Sequence, residues 1–265
     1  MSTREEIISE FYGEVNEDTR LTRSRQGQLE YFITTTFIRR FAFPGAKILE
    51  IGAGTGRYSV ALAKEGFDVT AVELLESNLS VLRKNGEGIP NLTSRQGDGS
   101  DLGFLGDRTF DLTLVFGPMY HLYDRAEAER AVDEAIRVTK DGGVIFFAFL
   151  SVYGIMFANY LYGRWSAGEE ENFTEDYKVR HFKEQLFTGY DVAEFEAMFG
   201  KKPVTHITTA GVDCILEEAE QIPDFSLPDP DFEIFKRWYL HFCEKRELLA
   251  SSNHLLYICR KNEER

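Results

Sequence analysis

In residues 48–58, ILEIGAGTGRY, an apolar run passes through Glu50 and is followed by Gly52, Gly54 and Gly56 at alternate positions. Glycine turns a chain sharply and lets backbone approach a ligand with no Cβ in the way. Three glycines after a strand therefore mark a loop that touches a small molecule through its backbone. The nicotinamide fingerprint G-x-G-x-x-G needs its last glycine where this chain has Arg57, and the third glycine comes one residue early. Glu50 discriminates further: a carboxylate at the strand end repels a pyrophosphate and suits a ligand carrying positive charge.

S-adenosylmethionine, with an ammonium and a sulfonium, is such a ligand. A ribose needs an acid at the end of the next strand, about 20 residues past the glycines, and Glu73 closes DVTAVE there. In RQGDGSDL, Asp98 follows a third strand, where it could accept from an exocyclic adenine amine, although Gly-Asp-Gly is also ordinary turn chemistry. After a fourth strand, FGPMYHL brings Tyr120 and His121 to the end that faces the crevice of an open α/β sheet.

The elements that must position these residues are legible as alternation. Runs of strand length, KILEI, DVTAVEL, LTSRQG, DLTLVF and VIFFAFL, are separated by helical periods, the pattern of a parallel sheet with crossover helices. Between the last two, Asp124 and Glu127 form a helix start, Ala128, Ala131, Val132 and Ala135 one buried stripe, and Gly142 a stop. Asp191, Glu194 and Gly200 frame a second helix, and PVTHITTAGVDCIL and HLLYICRK read as closing strands. The organisation expected is a single domain over 1–265: a helical cap at 1–45, a cofactor-binding core at 46–150, and insertions at 151–190 and 217–252 that form a lid and substrate region.

In order and spacing, ILEIGAGTGRY, VTAVEL, GDGSDL and FDLTLVFGPMYHLYD resemble the class I S-adenosylmethionine-dependent methyltransferases over residues 47–150, with a looser match to the end. The resemblance implies an α/β fold: a Rossmann-like seven-stranded sheet whose last strand, HLLYICRK, inserts antiparallel. It also implies that Glu50, Gly52, Ala53, Gly54, Gly56 and Tyr58 hold the methionine end of S-adenosylmethionine. Glu73 and Leu74 would hold the ribose, Asp98 and Gly99 the adenine, and Phe116 and Gly117 would wall the site, with S-adenosylhomocysteine as product. Within the family the chain is similar to bacterial small-molecule enzymes with a helical cap and GP-x-YHL after strand four.

Methyl transfer is an in-line displacement, so positioning in a dry pocket supplies most of the catalysis and a general base is optional. Tyr120 and His121 are the catalytic candidates; His121 either takes a proton from a hydroxyl or ammonium near neutral pH or simply satisfies a buried carbonyl. Arg20 and Arg25 could clamp a substrate carboxylate or phosphate, and Tyr160 and Trp165, with Phe157 and Tyr162, could line its pocket, with core packing or a solvated helix face as the plain alternatives. The acidic loop at 224–231 reads as solvated. GPMY also resembles the Pro-Pro-Tyr type motif of amino-methylating nucleic-acid enzymes, but Gly117 replaces its polar residue and one proline is absent.

The bulk numbers narrow the acceptor. With 30 Lys and Arg against 44 Asp and Glu, the formal charge is −14, which disfavours nucleic acid and anionic membranes. Cys214, Cys243 and Cys259 are widely spaced without a C-x-x-C pair, implying a reducing cytoplasm and no metal site. MSTREEIISEFYGEV lacks a basic-then-apolar leader. Residues 143–163 carry no charge over a bilayer-spanning length, yet mix Ser151, Asn159 and several tyrosines, and read as a buried strand followed by an aromatic lid. The expected partner is a small-molecule methyl acceptor reacting through oxygen or nitrogen, without nucleic acid or membrane, in a chain free to form a homodimer. Two further readings stand beside it, a nicotinamide-dependent oxidoreductase and a non-catalytic S-adenosylmethionine-binding protein.

Overall fold

The computed structural model describes residues 4–14, 17–182 and 185–263. One sheet contains β1 (Lys47–Ile51), β2 (Asp68–Glu73), β3 (Leu92–Gln96), β4 (Phe110–Val115), β5 (Thr139–Ser151), β6 (Gly189–Tyr190), β7 (Val204–Gly211) and β8 (His254–Lys261). Its order is β3-β2-β1-β4-β5-β8-β7, and the two-residue β6 pairs with the end of β5 off this path. All pairings are parallel except those of β8, which runs antiparallel between β5 and β7. The seven expected strands are therefore present, with the antiparallel insertion at HLLYICRK, and β6 is an addition.

The helices are α1 (Arg4–Glu14), α2 (Arg20–Arg23), α3 (Arg25–Phe41), α4 (Arg57–Lys64), α5 (Glu76–Asn85), α6 (Pro118–His121), α7 (Arg125–Val138), α8 (Val152–Leu161), α9 (Trp165–Asn172), α10 (Val192–Ala197), α11 (Leu216–Ala219), α12 (Asp229–Phe242) and α13 (Arg246–Leu249). The strands read as near-continuous apolar runs because helices cover both faces of the sheet. Side chains alternate across a strand, so Ile48, Leu112 and Leu114 join Leu29, Ile33 and Phe37 of α3 and Leu62 of α4 on one face. Leu49, Ile51 and Val115 join the α7 stripe of Ala128, Ala131, Val132 and Ala135, with Phe195 of α10, on the other. Glu50 shares the face of Ile48, which points its carboxyl toward α4.

Asp124 caps α7 by accepting the Glu127 N–H at 2.9 Å, and Asp191 caps α10 through Ala193 and Glu194. The expected stop at Gly142 is displaced: α7 ends at Val138, and Gly142, at φ +75°, lies inside β5. Thr139 pairs with Phe110 of β4, and its hydroxyl bonds Thr113 at 2.7 Å, so sheet pairing captures the chain before the glycine is reached. The uncharged stretch at 143–163 divides at Ser151 into the end of β5 and α8, and among the described residues no helix is long and apolar enough to cross a membrane.

Candidate functional site

With β1 between β2 and β4, the strand order reverses beside the glycine loop, which opens a crevice at the carboxyl ends of the strands. Gly52 has φ +78°, and a Cβ there would stand 2.3 Å from the Phe116 carbonyl oxygen. Only glycine lets the β1 and β4 exits lie that close. The Gly52 and Ala53 N–H groups donate to Val72 O at 2.8 and 3.1 Å. Gly54 N–H donates to Oε2 of Glu73 at 2.8 Å, and Leu75 N–H to Oε1 at 3.0 Å. Glu73 thus stitches the glycine loop to the exit of β2, and burial raises its pKa.

Glu50 is almost wholly buried and receives the hydroxyl of Ser59 from α4. Burial pushes its carboxyl up to about 8, opposed by the Ser59 hydrogen bonds and by no cationic side chain among the described residues. A buried carboxyl without a cation fits a ligand that brings its own ammonium.

A cleft of about 740 Å³ gathers Glu50, Gly52, Ala53, Gly54, Tyr58, Glu73, Leu74, Asp98, Gly99, Phe116, Gly117, Tyr120, His121 and Arg20. Five other expected residues, Phe157 of α8 among them, lie off its lining. Gly56, at φ +88°, forms the left-handed start of α4 and supports the loop from beneath. Arg25 ties α3 to the acidic loop, donating to Leu227 O at 2.9 Å and Asp229 at 2.6 Å over the Phe232 ring. That loop is therefore partly anchored, not merely solvated. Tyr160 and Trp165 meet edge to face and are largely exposed, because the α8 and α9 pair turns them outward; of the expected aromatic lid, Tyr162 reaches the cleft.

Two sequence assignments meet occupied partners. Asp98 accepts from Ser100 N–H and hydroxyl at 2.8 Å each, and Arg4 of α1 forms an ion pair with its other oxygen. Arg20 makes a bidentate pair with buried Glu30 at 2.7 and 2.9 Å and bonds Glu17 at 2.9 Å, so its charge is already matched. For His121, Nδ1 lies 2.7 Å from Leu186 O and Nε2 lies 3.2 Å from the Tyr12 hydroxyl. Burial lowers its pKa to about 4, which keeps the ring neutral, with Nδ1–H donating and Nε2 accepting from Tyr12. The lone pair that a base would use is engaged inside the chain.

Sequence reading missed Arg4, Ile8, Phe11 and Tyr12, through which α1 covers the cleft, and also Glu30, Glu217 and His254. His254 opens β8, and its Nδ1 is 2.7 Å from Oδ2 of Asp213, a fully buried carboxylate after β7. Asp213 also accepts the N–H groups of Asn253 and His254 and the Gln26 amide at 3.1 to 3.2 Å. Glu30, Asp213 and Glu217 outweigh burial and raise His254 to about 9. Asp213, Glu217 and His254 each bring a donor atom within 4.8 Å of the others, the one such trio among the described residues. Because N–H groups fill the Asp213 carboxylate, the trio is built as a hydrogen-bonded ion pair, not an open coordination set.

Residues 48–143 match the family model of a methyltransferase domain. A demethylmenaquinone methyltransferase of Clavibacter sepedonicus is 37% identical over 101 residues, 38% of this chain and 40% of that protein. One from Renibacterium salmoninarum is 36% identical over 111 residues, 42% and 44% of the two chains. The chain thus spans less than half the length of these curated relatives. Among solved structures, a SAM-dependent methyltransferase of Methanosarcina mazei aligns with TM-score 0.58 at 15% identity, covering 86% of this chain and 98% of that one. Phosphoethanolamine N-methyltransferase 1 of Haemonchus contortus, solved with phosphoethanolamine and S-adenosylhomocysteine, aligns with TM-score 0.61 at 13% identity over 100% of this chain and 50% of that one. At these identities the solved structures speak to the fold alone.

Proposed function

We propose that this chain is a class I S-adenosylmethionine-dependent methyltransferase that transfers a methyl group to an oxygen or nitrogen of a small molecule. One observation carries the reading: the glycine loop, stitched to Glu73 and backed by uncompensated Glu50, opens into the same cleft as Tyr120. Bound S-adenosylmethionine supplies an electrophilic methyl on a sulfonium. Glu50 would face its ammonium, and Glu73 and Asp98 would accept from its ribose and adenine. Arg4 shares Asp98 with that ligand or yields it, placing α1 at the entrance.

The same chamber is lined by Tyr58, Phe116 and Tyr120 and by the apolar side chains of Leu21, Ala148, Leu150, Val212 and Leu256. Apolar walls exclude water, and close positioning there lowers the barrier whether or not a base assists. Tyr12 and His121 hold α1 over this chamber in our reading. The surplus of acids supports a small molecule, not nucleic acid, as acceptor. Three buried, unpaired cysteines support a reducing, cytoplasmic setting.

Calorimetric titration with S-adenosylmethionine, S-adenosylhomocysteine and NAD tests the reading. Micromolar binding of the first two without NAD is expected, and binding of NAD alone would replace methyl transfer by hydride transfer. Binding without turnover across a broad metabolite extract would mark a cofactor-binding protein that performs no chemistry.

A further inference from the structure

The methyl-transfer reading leaves the Asp213–His254 pair without a role. We propose, resting on that reading, that His254, oriented by Asp213, holds the acceptor oxygen as its anion, and that the acceptor is a phenol or enol on an apolar body. Asp213 is entirely buried and fixed by backbone N–H groups as well as by the imidazole. With Nδ1 committed to Asp213, Nε2 is the nitrogen left for a ligand in the cleft that His254 lines. The residue following Asp213, Cys214, sits at φ +55°, a left-handed conformation that costs a non-glycine residue and that the site nevertheless retains.

The surroundings select the acceptor. Arg20 from α2, Glu30 and Gln26 from α3, Tyr120 from α6, Asp213 from the turn after β7 and Glu217 from α11 all face His254 or its partners. Arg20 and a protonated His254 answer Glu30 and Asp213, while burial raises Glu217 toward its neutral form. An ammonium acceptor would meet the His254 imidazolium, whose Nε2–H offers a donor and no acceptor, and an alkyl alcohol ionises far too weakly to be held as an anion. A phenol, with a pKa of about 10, matches an imidazole raised to about 9. Leu21, Leu150, Val212 and Leu256 supply apolar walls for its ring.

Below the imidazole pKa the acceptor enters with loss of its O–H proton to water and pairs with the imidazolium; above it, neutral Nε2 takes that proton directly. The oxygen lone pair then forms the O–CH₃ bond as the C–S bond breaks, its electron pair going to sulfur to leave the thioether.

The test uses 4-nitrophenol, whose ionisation is visible by absorbance, added to the full chain saturated with S-adenosylhomocysteine. Bound probe should ionise about one pH unit below free probe, a tenfold shift, and His254→Gln should abolish the shift while preserving S-adenosylhomocysteine affinity. Imidazole ¹⁵N shifts of His254 on adding the probe give the same answer in the wild-type chain if the variant does not fold. No probe binding, a shift that survives His254→Gln, or a shift lost with EDTA and restored by Mg²⁺ overturns the inference. Failure to bind S-adenosylhomocysteine at all would instead overturn the methyl-transfer reading beneath it.

Discussion

The backbone N–H of Gly54 donates to Oε2 of Glu73 at 2.8 Å across 19 residues of chain. The carboxylate has two tasks, holding the glycine loop in shape and presenting an acceptor to a ligand hydroxyl. Hydrogen bonds to charged groups contribute about 1.5–3 kcal/mol each, so Glu73→Ala should weaken S-adenosylhomocysteine by at least about tenfold. Glu73→Gln, which keeps one acceptor but turns an NH₂ toward an N–H donor, should lose less. Calorimetry on both variants checks this, and unchanged affinity removes Glu73 from the site.

Gly52 and Gly45 separate backbone strain from collision. Both have φ near +80°, but a Cβ on Gly45 meets nothing within 4 Å whereas one on Gly52 strikes the Phe116 carbonyl. Gly45→Ala should cost about 1–2 kcal/mol, the price of left-handed backbone alone. Gly52→Ala should lower the melting temperature further and abolish S-adenosylhomocysteine binding, because β1 and β4 must separate. Equal melting temperatures and retained binding would show that the crevice does not depend on this close approach.

What could be read from sequence was local. The glycine loop, the acid that closes β2 and the capping residues Asp124 and Asp191 declare themselves through neighbours a few residues away, and the alternation of apolar runs implies the sheet. Gly142 misled because strand pairing at Thr139 overrides a local helix stop. The pairs that finish the cleft span long separations: Arg4 with Asp98 across 94 residues, Tyr12 with His121 across 109, Asp213 with His254 across 41. A lone arginine, tyrosine or histidine carries no periodic signal, so folding alone reveals these partners. The same holds for Arg25, whose basic neighbourhood suggested a substrate clamp until α12 came to lie against it.

Glu50 gives the unliganded protein a definite pH response. Its folded pKa is raised to about 8, above an unfolded value of about 4.3. Its contribution to stability is therefore fully present below the unfolded value and is lost as pH rises toward 8. A ligand ammonium favours the carboxylate, so binding between pH 6 and 7 should release a proton. Binding enthalpies measured in phosphate and in Tris should then differ, and Glu50→Gln should remove both that difference and the alkaline fall in melting temperature. A buffer-independent enthalpy in the wild-type chain would show that Glu50 does not face the ligand's charge.

Tyr12 and His121 decide whether the histidine is a base or a latch. The neutral ring, lowered to about 4 by burial, contributes stability above an unfolded value of about 6.5, and that stability is lost as pH falls from there through 4. Tyr12→Phe removes the donor to Nε2, and its loss should cost about 1 kcal/mol. Phe11 packs on Phe187 beside the same contact, so α1 should loosen as a unit. Hydrogen exchange at Ile8 and Phe11 should accelerate in both Tyr12→Phe and His121→Ala, with a parallel fall in melting temperature. If His121→Ala instead slows methyl transfer at unchanged exchange and melting temperature, the ring takes the acceptor's proton and the latch is wrong.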